Sequence, residues 1–451
     1  MHFEPKAPMK LNEVGYDSNI ILQLIGKGMY LENLETAVQF SNELKLPTNL
    51  IEQALQVLTN RKQIESVGNI ESTTGGMGTL RYNLTTRGRN FVQEALNQNQ
   101  YFGPAPVPLD AYCKQVRAQA IGNERVSPSD IEKAFSDIVV PEEFTNRLGP
   151  AVNSGMSILI YGPAGNGKTT VAEKVAHIFD SVIYIPHAIE VNGTIIKIFD
   201  GSVHVSVEVE NPPEERRKLF REMVDKRFVP CKRPVVVTGG ELNMEMLDLK
   251  FNEISKYYEA PLHIKALNGT FIIDDFGRQQ VSPEQLLNRW IVPLQSRIDF
   301  LKLHSGKSFE LPFDELVIFS TNLAPDDLMD PAFLRRIPYK LETKDPSLDA
   351  FKAIYSGVAR KAGLELTEEI FQFTVHQIIK VSGKALAAYQ PKFIIDQVIA
   401  NCKYRGEELS FTKEYVAEGL ANLYVQDSSF KGQVGITPKE PAMDAPDNRV
   451  A

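Results

Sequence analysis

Apolar positions in the first hundred residues recur at helical spacing in three stretches, near 19–30, 34–44 and 49–60. The pattern then changes to alternation across IESVGNI and TLRYNL. These two runs flank Gly75, Gly76 and Gly78, so a β-hairpin is expected between them. A helix over 87–96 closes the segment. Residues 1–16 are polar and read as a loose end. The stretch YFGPAPVPLD is proline-rich, breaks both periods and reads as a linker. Helices near 111–120 and 128–138 follow. The second has Ser127 as a plausible N-cap and Pro128 just inside it.

From Pro141 onward the pattern becomes short, unbroken apolar runs separated by helices. SILIY (157–161), SVIYIP (181–186), GTFIIDDF (269–276) and LVIFSTN (316–322) read as strands of the buried kind. Helices are predicted over 169–179, 213–226 and 283–298. Three hairpins are expected. One lies in 189–209, turning at Asn192 and Gly193 and again at Asp200 and Gly201; one in 234–246; and one in 300–313, turning at Ser305 and Gly306. After Asp345 the period is helical again, over 348–362, 368–379, 392–404 and 412–424. The predicted plan is an α/β core (141–345), preceded by a small domain (1–100) and a linker with helices (101–140). A helical domain (346–428) and a disordered tail (429–451) come after it.

Composition narrows the class without naming it. A hydrophobic fraction of 43% and a charged fraction of 24% are those of an ordinary globular protein. The formal net charge of -8 gives no general attraction to nucleic acid. Cys113, Cys231 and Cys402 lack metal-ligand spacing and fit a reducing compartment. His187, His204, His263 and His304 share no such spacing either, so no metal beyond Mg²⁺ is expected. No apolar run reaches the length of a membrane span, and MHFEPKAPMK is no signal segment. A cytoplasmic protein is expected.

One octet carries the chemistry. Gly162, Pro163, Ala164, Gly165, Asn166, Gly167, Lys168 and Thr169 fit the Walker A pattern, between a predicted strand and a predicted helix. Backbone amides of such a loop cradle phosphate oxygens, helped by the helix N-terminus, and Thr170 continues the first turn. Lys168 would reach the outer phosphates of ATP, and Thr169 would hold Mg²⁺. The run Phe271, Ile272, Ile273, Asp274, Asp275 fits a Walker B strand. Asp274 would join the Mg²⁺ shell, and Asp275 stands where a water-activating carboxylate belongs.

With both motifs in order, the chain resembles an AAA+ ATPase: a P-loop α/β core with a C-terminal helical lid. It looks closest to MoxR-like proteins and to uncharacterised predicted bacterial AAA+ ATPases. Family members usually end Walker B in Asp-Glu; here it is Asp-Asp, which bears on turnover. The resemblance implies that Asn322 is sensor 1. It also implies that Arg335 or Arg336, with Arg336 slightly favoured, is the arginine finger serving a neighbouring subunit. Lys392 stands at the sensor 2 position, where it would contact phosphate or lie on the surface. Arg278, Arg289 and Arg297 stay outside the catalytic set. The hairpin at 300–313 resembles a pre-sensor-1 hairpin. A homo-oligomeric ring, favoured as a hexamer, is implied.

The N-terminal segment resembles a winged helix, whose third helix often enters a DNA groove. Here that helix would expose Asn49, Glu52, Gln53 and Gln56. Residues 1–100 hold 9 Lys and Arg against 10 Asp and Glu, which favours docking of a protein over nucleic acid. The expectation is an ATPase that remodels a protein client. A DNA-associated ATPase and a slow nucleotide switch are the alternatives.

Overall fold

The computed structural model describes residues 4–70, 79–208, 224–328 and 331–424. The chain divides into two compact units. The first holds Met1–Phe135, Pro141–Gly162 and Lys168–Glu342; the second holds Ser136–Val140, Pro163–Gly167 and Thr343–Ala451.

The centre of the first unit is a five-stranded parallel sheet. Its strands, numbered in chain order, are β1 (Ile158–Tyr161), β2 (Val235–Thr238), β3 (Thr270–Ile273), β4 (Leu316–Thr321) and β5 (Tyr339–Glu342), and their spatial order is β5-β1-β4-β3-β2. β3 and β4 are buried along their whole length, which is why they read as unbroken apolar runs. The edge strand β2 alternates instead, and β5 is buried at Leu341. Register aligns Tyr161 with Thr321 and Ile273 with both Phe319 and Thr238, so the turns after β1, β2, β3 and β4 leave the sheet on one side. Helix Pro283–Ser296 starts with Ser282 accepting from the Gln285 N–H and with Pro283 in its first turn. It buries Trp290 against Phe271, Phe313 and Phe319.

β2 corrects the hairpin expected over 234–246. A run of three valines pairs in parallel with β3, and the chain then turns at Gly239 into a 3-10 turn, Met244–Leu247. The strand SVIYIP also lies outside the central sheet: Val182–Pro186 pairs antiparallel with Phe228–Lys232. The hairpin around Asn192 and Gly193 is present as Ala188–Val191 and Thr194–Lys197, and that of Ile298–Lys302 and Ser308–Pro312 forms as expected. At Asp200 the described residues form no hairpin. The carboxylate is taken by Ser202 and by the Lys265 ammonium, and a bridge from Ser206 to Cys231 follows. Of the helix expected over 213–226, residues 213–223 lie outside the described residues, while Val224 is extended and bridges to Lys6.

Residues 101–140, expected as a linker, contribute core. Val107–Pro108 adds a parallel strand beside Ala188–Val191, and helix Leu109–Ala118 buries Tyr112, Cys113 and Val116. Polar side chains fasten the same stretch to the base of the central sheet. Gln119 binds Asn268, the Ile121 N–H donates to Asp314, and Glu124 pairs with the buried Arg233.

The N-terminal helices Asn19–Leu31, Ala37–Leu44 and Thr48–Asn60, the ladder of Ile64–Ile70 with Thr79–Leu84, and helix Thr86–Gln98 match their expected pattern. The glycines of the intervening turn lie outside the described residues. Residues 4–14 are not loose. Pro5, Pro8 and Val14 are buried, the Asp225 N–H donates to the Pro5 carbonyl, and Leu11 reaches Gln53. Scattered anchors without a period do not show as a pattern, which is why this strap was read as polar coil.

The second unit is helical: Leu348–Lys361, Glu368–His376, Gln390–Arg405 and Lys413–Leu423 close on a core containing Phe351, Tyr355, Phe371 and Ile394. The tail expected over 429–451 lies outside the described residues.

Candidate functional site

The glycine-rich loop leaves β1 and enters helix Lys168–Ala176. Gly162, Gly165 and Gly167 all take positive φ (139°, 80° and 76°), which side-chain-bearing residues adopt at a cost. Lys168 opens the helix with its side chain folded back, and Nζ donates to the Gly162 carbonyl at 3.0 Å. Lys168 is only 7% exposed. Burial lowers its pKa, and the nearby charges of Asp275 and Asp274 pull the other way. A cation held this way, at a helix N-terminus, is suited to trade one neutral carbonyl for an anion. Thr170 is exposed in the same first turn.

Across the sheet, the Thr169 hydroxyl donates to Asp274 Oδ2 at 2.8 Å. Hydroxyl and carboxylate, one from each motif and 105 residues apart, therefore meet at one point. Among the described residues no three His, Cys, Asp or Glu side chains gather into a metal cage. The Thr169 and Asp274 pair instead fits Mg²⁺, which takes few protein ligands and keeps waters and phosphate oxygens as the rest.

The turn after β3 is held by the strands beside it. The Asp274 N–H donates to the Thr238 carbonyl, the Phe276 N–H to the Ser320 carbonyl, and the Thr321 hydroxyl to the Phe276 carbonyl. Asp275 is exposed with φ 48°, a left-handed conformation that a non-glycine residue holds only when its surroundings impose it. Gln279 supplies much of that restraint. Its amide nitrogen donates to the carbonyls of Asp274 (2.8 Å) and Asp275 (3.3 Å), and its oxygen accepts from the Gly277 N–H (2.8 Å). Sequence reasoning passed over Gln279, because nothing in the spacing shows a side chain folding back onto its own turn. Asn322 follows β4 directly and is half-buried, next to the Thr321 that grips this turn.

Arg335 is exposed, while Arg336 is half-buried with its guanidinium 5.9 Å from the Phe333 ring. Lys340 fixes the segment that carries both, donating to the carbonyls of Leu334 and Ile337. Lys392, expected to contact phosphate or to lie on the surface, stands on the surface. Its side chain is 70% exposed and pairs with Asp396 one turn along the same helix, at 2.7 Å. Gln390 and Pro391 turn inward at the start of that helix, which leaves Lys392 on the outer face.

In the second unit the loop tip itself is held. The Tyr389 N–H donates to the Gly165 carbonyl (3.0 Å), the Ala388 N–H to Asn166 Oδ1 (3.1 Å), and Asn166 Nδ2 to Asp345 Oδ1 (2.8 Å).

Residues 347–422 match a family described as Domain of unknown function (DUF8689). No curated protein matches the chain. Among solved structures, NtrX from Brucella abortus is similar at 13% identity over 65% of this chain and 59% of that one, with a TM-score of 0.38. A Thermotoga maritima RuvB mutant is similar at 14% identity over 68% and 73%, with a TM-score of 0.34. Domain III of the Thermotoga maritima replication initiation protein DnaA is similar at 13% identity over 66% and 98%, with a TM-score of 0.35. At these scores the likeness carries no argument about activity. Among the described residues no helix is long and apolar enough to cross a membrane.

Proposed function

We propose that this chain is an ATPase of the AAA+ kind that binds ATP with Mg²⁺ at the glycine-rich loop and hydrolyses the terminal phosphoanhydride. The observation that carries it is the meeting of Thr169 with Asp274 at 2.8 Å, directly behind a loop whose lysine is buried and turned inward. Thr169 and Asp274 would hold Mg²⁺, which supplies charge neutralisation at the phosphates. Lys168 and the loop amides bind phosphate oxygens. Asp275 accepts the proton of the attacking water as the bond to the leaving ADP breaks, and Asn322 orients that water. An arginine stabilises the charge that develops. Exposure favours Arg335 for that role, since Arg336 lies against Phe333.

The working form is a homo-oligomeric ring, favoured as a hexamer, that drives remodelling of a protein client. The N-terminal segment supports a protein partner over nucleic acid. Asn49 and Gln53, on the helix a winged helix would present to DNA, are engaged by the chain's own strap through Met9 and Leu11. Arg81 is paired with Glu35. A slow nucleotide switch is the second reading, favoured by the short carboxylate of Asp275.

ATP turnover against protein concentration, with mass followed in parallel, tests the proposal using Lys168→Ala, Asp275→Asn, Arg335→Ala and Arg336→Ala. Turnover that rises with assembly, and is lost in Lys168→Ala, Asp275→Asn and one arginine variant, is the expected result. Assembly with ATP but no turnover above the Lys168→Ala background would leave the switch.

A further inference from the structure

The tip of the glycine-rich loop is gripped from two places in the second unit that are far apart in sequence. Asn166 uses both ends of its amide. Its oxygen accepts from the Ala388 N–H, just before helix Gln390–Arg405, and its nitrogen donates to Asp345, ahead of helix Leu348–Lys361. Only a side chain carrying both a donor and an acceptor can make this bridge. Next to it the Tyr389 N–H donates to the Gly165 carbonyl, and the Tyr389 ring covers the Gly165 α-carbon so closely that a Cβ there would run into the ring.

The grip is itself braced. Gln390 is 2% exposed and accepts from the Ala387 N–H at 2.9 Å. It also donates to the Ala385 carbonyl at 3.0 Å and to the Tyr424 hydroxyl at 2.9 Å. This fixes the turn that presents Ala388 and Tyr389. Tyr389 remains 41% exposed, so burial gains little by placing the ring there. What the ring does is hold a glycine at φ 80°, in a loop whose other glycines have left-handed backbone of their own.

We propose that Asn166, Asp345 and Tyr389 form a latch that keeps the loop tip in its phosphate-accepting shape, so that order in the helical unit sets nucleotide affinity. The proposal rests on the ATP reading for its ligand and names positioning residues, none of which touches the reacting atoms. A loop with several left-handed residues has many alternative conformations when released, and a ligand must then bear the ordering cost. Opening the latch therefore weakens binding more than it slows the bound reaction.

The test uses the full chain, a fluorescent ATP analogue with Mg²⁺, and hydrogen exchange of the loop without nucleotide. Tyr389→Ala is expected to raise Kd at least fivefold and speed loop exchange, while Tyr389→Phe, which keeps the ring, stays within twofold of the parent in both. Asn166→Asp sets two carboxylates against each other and loses the donor, so loop exchange rises. Adding Asp345→Asn returns a donor to the pair and restores protection. Loop exchange in Tyr389→Ala equal to the parent, or no rescue in the double variant, overturns the latch. Lys168→Ala separates the two proposals. If it abolishes binding while Tyr389→Ala binds as the parent does, the latch alone fails. If it leaves binding unchanged, the ATP reading fails, and the exchange results alone decide the latch.

Discussion

The two ends of the central sheet are built on opposite principles. At the end where the strands lead into the glycine-rich loop and the Asp274 turn, backbone is held in costly conformations and charged side chains gather around the turn. Asp275 is exposed with φ 48°, and Lys168 has a neutral carbonyl as its hydrogen-bond acceptor. At the other end, polar groups are buried and bonded. Arg233 pairs with Glu124 and donates to the carbonyls of Gln119 and Asn268, and Asp314 accepts from Ile121 and Asn268 and forms an ion pair with Arg297. The first end keeps strain and charge where a ligand can use them. The second supplies the rigidity that lets the first persist.

The largest effect should come from breaking the rigid end. Arg233→Ala leaves two carbonyls and a half-buried Glu124 without their cation, a loss of about 3–5 kcal/mol for a buried pair broken on one side. Urea denaturation of the variant should show a large fall in midpoint with little change in slope. Arg233→Lys should recover part of it, because an ammonium keeps the charge but not the fork. An unfolding free energy within about 1 kcal/mol of the parent, the limit for an exposed pair, would mean that this end is not the mount it looks to be.

At the strained end the expected effect is smaller and kinetic. Gln279→Ala removes the amide that ties the carbonyls of Asp274 and Asp275 to the Gly277 N–H. A misplacement of about 1 Å can cost two orders of magnitude, so kcat should fall roughly tenfold to a hundredfold. Nucleotide Kd should change less than threefold, since Lys168 and the loop are untouched. Gln279→Glu should not rescue, because a carboxylate cannot donate to two carbonyls. A loss that falls on KM with kcat unchanged would move Gln279 from the positioning of Asp275 to ground-state binding.

What the sequence made legible follows the same division. β1, β3 and β4 are buried on both faces, so their apolar runs stand out, and the octet at 162–169 has its chemistry in consecutive residues. β2 was hidden because an edge strand exposes Val237 and pairs with β3, which begins more than thirty residues later. Gln279 and Tyr389 were hidden for a related reason. One acts by folding onto its own turn, and the other by meeting a glycine 224 residues away, and no local period records either contact. Lys392 is legible in another way: its position in the order of motifs leaves phosphate contact or the surface open, and the carboxylate at i+4 is the partner its side chain takes here.

Glu315 departs from the rule of the rigid end, and it gives the smallest and most pH-sensitive prediction. Glu315 follows the well-paired Asp314, is fully buried, and has no hydrogen-bond partner on either carboxyl oxygen. Burial raises its pKa well above the ordinary range; Arg297 works against that, and Asp299 and Asp314 add to it. The folded protein therefore holds this carboxyl's proton to higher pH than the unfolded chain, which ionises it above a pH of about 4.3. Its cost to stability is smallest below that pH and grows as pH rises toward the folded value. Glu315→Met removes the unsatisfied oxygens with little change in volume. It should stabilise the protein by about 1–3 kcal/mol near pH 7.5, with the gain shrinking as pH falls toward 4. Glu315→Gln removes only the ionisable proton, so its stability should vary less with pH than the parent's while gaining less at neutral pH. A Glu315→Met advantage that stays constant across pH would mean that the carboxyl is equally protonated in both states. A loss of stability at every pH would mean that Glu315 answers a polar need and belongs to the rule of the rigid end.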